Sequence, residues 1–580
     1  MKNNWLIASK FEEDFGKDWP AVRSPSGEER GCREMLLQLF WNRGIKNKEH
    51  AEEFLHPDYR KLGDPYLFPQ MEQAIGRIFL AKEKGETIFI FGDYDADGVS
   101  GAVILRTVLL AYGIAPKIYI PHREKEGYGV NMGAIDYMKA QGASLFITCD
   151  LGIGNNKEVS YARSVGLEAI ITDHHSLPPE LPSDAYAIIH PQVGEFPFKE
   201  LSGGGVAFKL AQGILRSKHE PIVKKSSESL EKWLLDLVAI STVGDMMALK
   251  EENRILVAYG LKVLNKTKRL GLQKLIETAG LQLGALDTYN IGFQIAPRIN
   301  AAGRMDHANA AYELLISEDE EEATRLAKNL NKNNSDRQKQ TDIIVNEAKY
   351  QIIENKKEKD FCLFAFNPKW PLGLLGLAAG KISDTFKRPA ILLTEIEGEI
   401  KGSARSIDDW DVISSLRKLE DLFSHYGGHP AAAGMTLKNK DDLKVFEEKI
   451  LALAKEDLQD KESIDYINVD AEINIDAINL KICEELAKFE PFGEANPRPL
   501  FVSQNLEVRG TQIVGNGTKH LRLMVSGKSG VQYKMMGFCM AHWCEVLKFG
   551  DKINAVYELG INEWNGRREA QLKIVDLERI

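Results

Sequence analysis

The stretch Thr87–Gly101, TIFIFGDYDADGVSG, decides the fold. Its first six residues are apolar, β-branched or aromatic apart from the closing glycine, the composition of a buried strand. Three aspartates follow at alternate positions, Asp93, Asp95 and Asp97. In an extended chain, residues two apart stand roughly 6.7 Å apart on one face. At an effective dielectric of about 20, each adjacent pair then repels by roughly 2–3 kcal/mol. A solvated acidic turn tolerates this through screening by water. A bound cation reverses its sign, because carboxylates are the preferred ligands of hard divalent metals. An EF-hand loop is excluded, although D-x-D-x-D-G matches its first half. Its twelfth position would be Ile104, where a bidentate Glu is required, and the segment before it reads as a strand. The triplet therefore stands at the C-terminal end of a strand, where open α/β sheets build their sites.

At 580 residues the chain is too long for one core, and two to four domains are expected. With 44% hydrophobic and 27% charged residues it is an ordinary globular composition. No apolar run reaches about 18 residues and the start, MKNNWLIASKFEEDFGK, is no signal peptide, so neither a membrane span nor secretion is expected. The six cysteines (Cys32, Cys149, Cys362, Cys483, Cys539, Cys544) form no C-x-x-C pair, which argues against a zinc site or a disulfide framework and for a reducing cytoplasm. A net charge of -10 argues against a broadly basic surface, but a local basic groove for nucleic acid remains open.

Residues 1–60 read as a small helical lead-in. From Thr87 strands and helices alternate: strand Thr87–Gly92, a helix from about Ser100 to Tyr112, strand Lys117–Ile120, a helix near Met132–Gln141, strand Ser144–Cys149, a helix near Asn156–Val165 and strand Glu168–Thr172. This alternation predicts a parallel, doubly wound sheet for residues 61–316. Residues 317–357 are helical in composition, but Asn331–Asp342 carries no apolar residue, so a linker helix that bridges domains is expected. A smaller α/β unit follows over 358–455, with strand FCLFAF, a helix near Gly376–Phe386 and strand PAILLT. From Ser463 to the end, short alternating strands with turns between them suggest a small β-barrel over 463–580.

Partners of the triplet stand after later apolar runs. LFITCDLGIG ends its run at Asp150, AIITDHHSLPP at Asp173, His174 and His175, and LVAISTVGDMMAL at Asp245. Four strand ends delivering carboxylates and imidazoles to one rim suit manganese or magnesium, not a thiolate zinc site. Two such metals need a carboxylate that bridges them, about 3.5–4 Å apart. Asp150 is the candidate bridge.

These segments resemble the DHH phosphoesterases, and within them the RecJ-type single-stranded-DNA exonucleases. D-x-D-x-D-G, C-D-x-G, D-H-H and Gly244–Asp245 match the family's motifs. APRINAAGRM (Ala296–Met305) also matches. GSARS (Gly402–Ser406) and GGHPAAAG (Gly427–Gly434) resemble the DHH-associated domain, and EPFGEANPRPLF (Glu490–Phe501) resembles the entry to an oligonucleotide-binding (OB) barrel. The likeness runs from about residue 50 to the C-terminus. It implies one metal on Asp93 or Asp95 with Asp150, and a second on Asp97, Asp150, His174 and Asp245. It puts His175 facing the scissile phosphate and Asp173 orienting a histidine from behind. Asp95, Asp97, Asp150, His174, His175 and Arg298 are the expected catalytic set. Two departures stand out: Pro371 follows Trp370 where the family has His, and Ala495 replaces a frequent Gly.

Arg298 and Arg304 flank INAAG, suited to bidentate capture of phosphate, although two surface arginines in ion pairs would read the same way. Asn300, Arg405, and Gly427, Gly428 and His429 of GGHPAAAG are further candidates for substrate contact, the last three as a small-residue turn that a nucleotide approaches closely. In the barrel, Lys519, His520 and Arg522 would form an electrostatic track for a single strand, or else a merely solvated strand face. The resemblance thus implies a 5′-to-3′ exonuclease of DNA repair and recombination that uses two Mn2+ or Mg2+ ions and releases 5′-mononucleotides. It further implies a monomer, with a single-strand-binding protein and a helicase as partners. The rival readings are a phosphoesterase for short oligonucleotides, cyclic dinucleotides or pyrophosphate, and a non-catalytic DNA-binding scaffold.

Overall fold

The computed structural model describes residues 4–580 except 13, 17–18, 20–26, 124, 223–226, 306, 460, 462–465, 516–518 and 565. The chain divides into two compact units, one of residues 63–247 and 259–463, the other of residues 1–62, 248–258 and 464–580. Strand β1 (Asn4–Ile7) opens the chain and belongs to the latter.

In the larger unit, β2 (Thr87–Gly92), β3 (Lys117–Tyr119), β4 (Ala143–Cys149), β5 (Glu168–Thr172) and β6 (Ala187–Ile189) form a parallel sheet in the order β3-β2-β4-β5-β6. Parallel strands are covered on both faces, which is why TIFIFG and SLFITC are unbroken apolar runs. The chain leaves β2 for β3 on one side and returns to β4 on the other. The switch point of the sheet therefore lies between β2 and β4, where ligands bind in such folds. The helix Ala96–Ala111 is apolar on nearly every side and buried along most of its length. It starts ahead of the expected Ser100 because Asp95 caps it: Oδ1 accepts the N–H groups of Asp97 at 2.9 Å and Gly98 at 3.2 Å.

The long helix Glu320–Glu354 is present, and its polar middle is only partly solvated. Asn334 and Thr341 are buried, and Asn331 Oδ1 accepts from Arg298 Nε at 3.0 Å. Lys332, Gln338, Lys339, Gln340 and Asp342 are exposed, so the stretch is solvated on one side and packed on the other. Beyond it, β7 (Leu363–Phe366), β8 (Ala390–Ile396), β9 (Glu399–Arg405), β10 (Phe423–His429) and β11 (Ala432–Leu437) form a mixed sheet in the order β10-β11-β9-β8-β7. GGHPAAAG is thus the end of a hairpin: Gly427–His429 closes β10, Ala432 opens β11, and the turn itself is Pro430–Ala431.

The smaller unit holds β12 (Tyr466–Val469), parallel to β1, then β13 (Ala471–Glu472), β14 (Leu500–Val514), β15 (His520–Ser526), β16 (Gln532–Gly537), β17 (Lys552–Trp564) and β18 (Arg567–Arg579). The order β13-β14-β15-β16-β18-β17, with β17 pairing back onto β14, closes a barrel of the OB type. The expected boundary near Ser463 lies outside the described residues. Residues 1–60 carry helices and also β1, and they share the barrel's core: Leu36, Leu39 and Phe40 join Phe489, Leu521 and Tyr557 in one apolar cluster. Arg254, from the 248–258 segment, donates to the carbonyls of Glu490 at 2.8 Å and Pro491 at 3.3 Å and lies over the Phe54 ring. Ala495 has φ 58°, in the left-handed region that favours glycine. No helix among the described residues is long and apolar enough to cross a membrane.

Candidate metal centre

Each acidic group is delivered by a strand or helix end at the switch point. Asp93 follows β2, and its N–H donates to the Cys149 carbonyl at 3.1 Å. Asp150 follows β4 with φ 68° and donates its N–H to the Thr172 carbonyl at 3.0 Å. A non-glycine residue in that conformation is uncommon, and such strain gathers at functional sites. His174 and His175 follow β5. Asp245 departs from expectation, because it ends the helix Leu235–Gly244 and not a strand. That helix is buried all round, so its sequence is as continuously apolar as a buried strand's.

The side chains converge. Asp93, Asp95 and Asp150 offer oxygens within 4.8 Å of one another, and so do the ligating atoms of Asp97, His174 and Asp245. Between the two groups, His174 Nε2 lies 3.1 Å from Asp150 Oδ1, 3.5 Å from Asp245 Oδ2 and 3.7 Å from Asp97 Oδ2. Asp150 thus adjoins both clusters.

Asp97 is held by partners that sequence reasoning missed. Oδ2 accepts the Gly203 N–H at 2.7 Å, and Oδ1 accepts the Gly204 N–H at 2.6 Å and the Ser241 hydroxyl. Gly203 and Gly204 begin the helix Gly203–Leu215, whose N-terminal amides and dipole favour an anion. A Cβ on Gly203 would lie 2.4 Å from Asp150 Cβ, and one on Gly204 would lie 2.5 Å from Ser241 Oγ. The run Ser202–Gly205, SGGG, was the available signal.

Burial first, then the neighbouring carboxylates, pushes Asp93 and Asp150 well above the usual carboxylate range and Asp245 up to about 8. The same causes raise Asp95. Four acids gathered in a buried site cannot all ionise without positive charge among them. Asp93 Oδ1 is buried with no hydrogen-bond partner among the described residues, while Asp150 Oδ1 and His174 Nε2, also buried, stand 3.1 Å apart without the alignment of a hydrogen bond. Polar atoms left so would cost roughly 1–3 kcal/mol each. A set of carboxylates with imidazole fits divalent Mn2+ or Mg2+.

The two adjacent histidines differ. Burial lowers His174 below the ordinary imidazole value. Burial also opposes charge on His175, but the Asp173 carboxylate outweighs it and holds that ring up to about 9. Tyr128, unforeseen from sequence, lies with its hydroxyl 3.0 Å from His175 Nδ1 and donates to the Asp150 carbonyl at 3.1 Å.

Around this centre runs a lane of arginines. Arg298 Nη1 donates to the Gln294 carbonyl at 2.6 Å, Arg304 Nη1 to that of Gly373 at 2.9 Å, and Arg405 Nη1 to that of Ala404 at 2.8 Å. Their partners are carbonyls and polar side chains, and among the described residues none of the three forms an ion pair. Burial, then Arg123 and Arg337, lowers Arg304 to about 9. Arg123 and Arg337 had no sequence signal. Arg123 lies over the Tyr94 ring, 4.6 Å from its centroid, and its charge acts on Asp93 and Asp95. Arg337 Nε is buried without a hydrogen-bond partner among the described residues. Asn300, expected to touch substrate, accepts the Ala96 N–H at 2.7 Å and so fixes the first turn of the Ala96 helix. His429 pairs with Ala432, and Ala432 with Arg405, so His429 and Arg405 occupy one cross-strand row, where side chains share a face. In the smaller unit, Lys519 and Arg522 are exposed, while Leu521 and Leu523 point into the barrel.

Three family models match the chain: "DHH family, N-terminal domain" over residues 87–242, "DHHA1 domain" over 359–456 and "RecJ OB domain" over 469–576. The single-stranded-DNA-specific exonuclease RecJ of Bacillus subtilis is 37% identical over 576 residues, covering 98% of this chain and 71% of the relative. RecJ of Escherichia coli is 30% identical, covering 97% of each. The chain belongs to the RecJ family. RecJ of Thermus thermophilus, solved with Mn2+, superposes with a TM-score of 0.82 at 27% identity, covering 99% of this chain and 79% of that one. The same protein solved with Mg2+ gives 0.75 at 26%. As a RecJ-family DHH phosphoesterase the chain is a hydrolase, and its clustered carboxylates and imidazole suit the ions held by that relative.

Proposed function

We propose that the protein is a metal-dependent exonuclease that hydrolyses single-stranded DNA from its 5′ end and releases 5′-mononucleotides. The observation that carries this reading is the juxtaposition of two carboxylate clusters, adjoining at Asp150, with a lane of arginines that have no carboxylate partner among the described residues. Asp93, Asp95 and Asp150 would hold one ion, and Asp97, Asp150, His174 and Asp245 the other. Once bound by these residues, such ions would supply an activated water and charge stabilisation for a displacement at phosphorus. The protein's own groups do the rest. Gly203, Gly204 and Ser241 hold Asp97 in position. Asp173 keeps His175 charged beside the reacting phosphate. Arg123, Arg298, Arg304 and Arg405 neutralise the phosphates of the strand. Direction and product rest on the likeness to RecJ.

The OB barrel weighs against a small-substrate phosphoesterase, and the convergence of all six candidate ligands weighs against a non-catalytic scaffold. The same likeness supports a cytoplasmic monomer that works with a helicase and a single-strand-binding protein. Digestion of end-labelled single strands, each end blocked in turn, tests the reading. Release of mononucleotides only when the 5′ end is open supports it, and equal degradation of both blocked strands overturns it.

A further inference from the structure

The larger unit carries an aromatic surface that the metal centre does not use. The short helix Thr288–Asn290 and the π-helical turn Ile291–Ile295 run directly into the helix Ala296–Met305, which bears Arg298 and Arg304. π-Helical turns are rare and recur at functional sites. Here Ile291 and Ile295 are buried on the inner side, while Tyr289 and Phe293 stand outside, 56% and 67% exposed. The two rings stack on each other, with centroids 4.7 Å and planes 29° apart. Two large rings held together in water serve no core.

Their place in the fold shows what covers them. A Cβ on Gly292 would lie 3.7 Å from Val243 Cγ1, and one on Gly244 would lie 3.2 Å from Ala296 Cβ. The aromatic segment therefore packs on the helix end that presents Asp245. On its other flank, the Gln294 carbonyl accepts from Arg298. The segment that carries the rings thus adjoins the helix end presenting Asp245 through Gly292 and the start of the arginine lane through Gln294. A ligand that spans both has regularly spaced anions for the arginines and flat apolar faces for the rings. A single strand has both, whereas in a duplex the base faces are already stacked. Stacking on an aromatic ring is tolerant of sequence, because every base has a π-face.

We infer that Tyr289 and Phe293 form a base-stacking platform that holds the single strand beside the metal centre. The inference rests on the proposed nuclease function. The test is binding of single-stranded oligonucleotides in chelator, followed by fluorescence anisotropy, with one abasic site walked along the strand. Wild type should lose affinity at one or two abasic positions. The double variant Tyr289→Ala/Phe293→Ala should bind the intact strand about 5- to 100-fold more weakly and respond no further at those positions. Phe293→Trp should behave as wild type. Should the double variant fail to fold, Phe293→Leu keeps an apolar side chain without a ring and is expected to show the same lost response. An unchanged affinity and abasic profile in the Leu variant overturns the platform. So does a variant with unchanged strand affinity whose oligomeric state shifts in sedimentation, which assigns the rings to self-association. Wild type that binds no single strand at all overturns the nuclease reading and the platform with it.

Discussion

Asp173 Oδ1 lies 2.8 Å from His175 Nδ1, and the same oxygen accepts the backbone N–H of His174 at 2.7 Å. One buried carboxylate thus ties the backbone of His174 and the ring of His175, while burial acts against charge on both rings. Burial lowers His174, the direction that favours the neutral ring a metal ligand requires, while Asp173 holds His175 up to about 9. Pairs of titratable groups pushed apart in this way mark acid and base roles. A raised histidine keeps its charge below the raised value and loses it as pH rises through about 9. Asp173→Asn should therefore lower kcat and move the alkaline limb of the pH–rate profile downward, toward the ordinary imidazole value. A profile unchanged by Asp173→Asn would show that His175 does not act as a cation.

The metal centre predicts a proton count. Asp245 is raised to about 8 and Asp93 and Asp150 are raised as well, so the apo site holds protons more tightly than an unfolded chain, and Asp245 keeps its own near neutral pH. Between the ordinary carboxylate range and about 8, apo stability should fall as pH rises, because the native state binds more protons than the unfolded one. Mn2+ must displace those protons, so its affinity and its stabilising effect on Tm should both grow from pH 6 to pH 8. Calorimetry in buffers of different ionisation enthalpy would detect the released protons. Asp97→Ala, Asp150→Ala and His174→Ala should each abolish cleavage, and excess chelator should do the same to wild type, with strand binding retained. Full activity in chelator would contradict a metal mechanism.

Gly203 tests the support behind the ligands. Gly203→Ala places a methyl 2.4 Å from Asp150 Cβ, so the strand end or the helix start must shift. Loss of such outer support typically costs about 10- to 100-fold in metal affinity or activity. The variant should keep its fold by circular dichroism while Mn2+ titration shows weakened binding. Wild-type affinity in Gly203→Ala would mean that the site adapts freely.

The arginine lane separates capture from chemistry. Arg298→Ala and Arg304→Ala should raise KM for single strands and lower turnover while bound Mn2+ stays unchanged, since neither side chain belongs to a carboxylate cluster. For every phosphate left without its arginine, the salt dependence of strand affinity should flatten by about 0.7 in slope. Unaltered kinetics in both variants would return these residues to a purely structural role.

Much of this was legible because burial writes itself into sequence. Parallel strands are covered on both faces, so TIFIFG, SLFITC and EAIIT stood out with their terminal acids attached. The errors have the same origin. The helix before Asp245 is covered on every side, and a uniformly buried helix carries no period to distinguish it from a strand. The polar middle of the Glu320–Glu354 helix includes Asn331, which binds Arg298, and the buried Asn334 and Thr341, and polarity toward protein reads like polarity toward water. Gly203, Ser241 and Arg123 reach the site only through long-range packing, and nothing local announces that.

The barrel supplies the last prediction, and the structure changes how it must be tested. Deleting everything after residue 462 would strip Phe40, Phe54 and Arg254 of their partners at Phe489 and Glu490, because residues 1–62 and 248–258 share the barrel's core. Loss of DNA binding in such a truncation would report misfolding as readily as function. Surface substitutions avoid this. On β15, Leu521 and Leu523 fill the barrel while Arg522 stays outside, donating to Gln512 Oε1 at 3.1 Å, and Lys519 is exposed beside it. His520 is tied locally, its Nδ1 accepting the Cys539 N–H at 3.0 Å, so it is left in place. In Lys519→Ala/Arg522→Ala, long single strands should bind more weakly, with a salt slope lower by roughly 1.4 because two phosphates are no longer neutralised. Turnover of substrates a few nucleotides long should be unaffected, because both clusters of metal ligands lie in the other unit. Equal affinity and equal salt slope on long strands would show that this strand of the barrel faces only water.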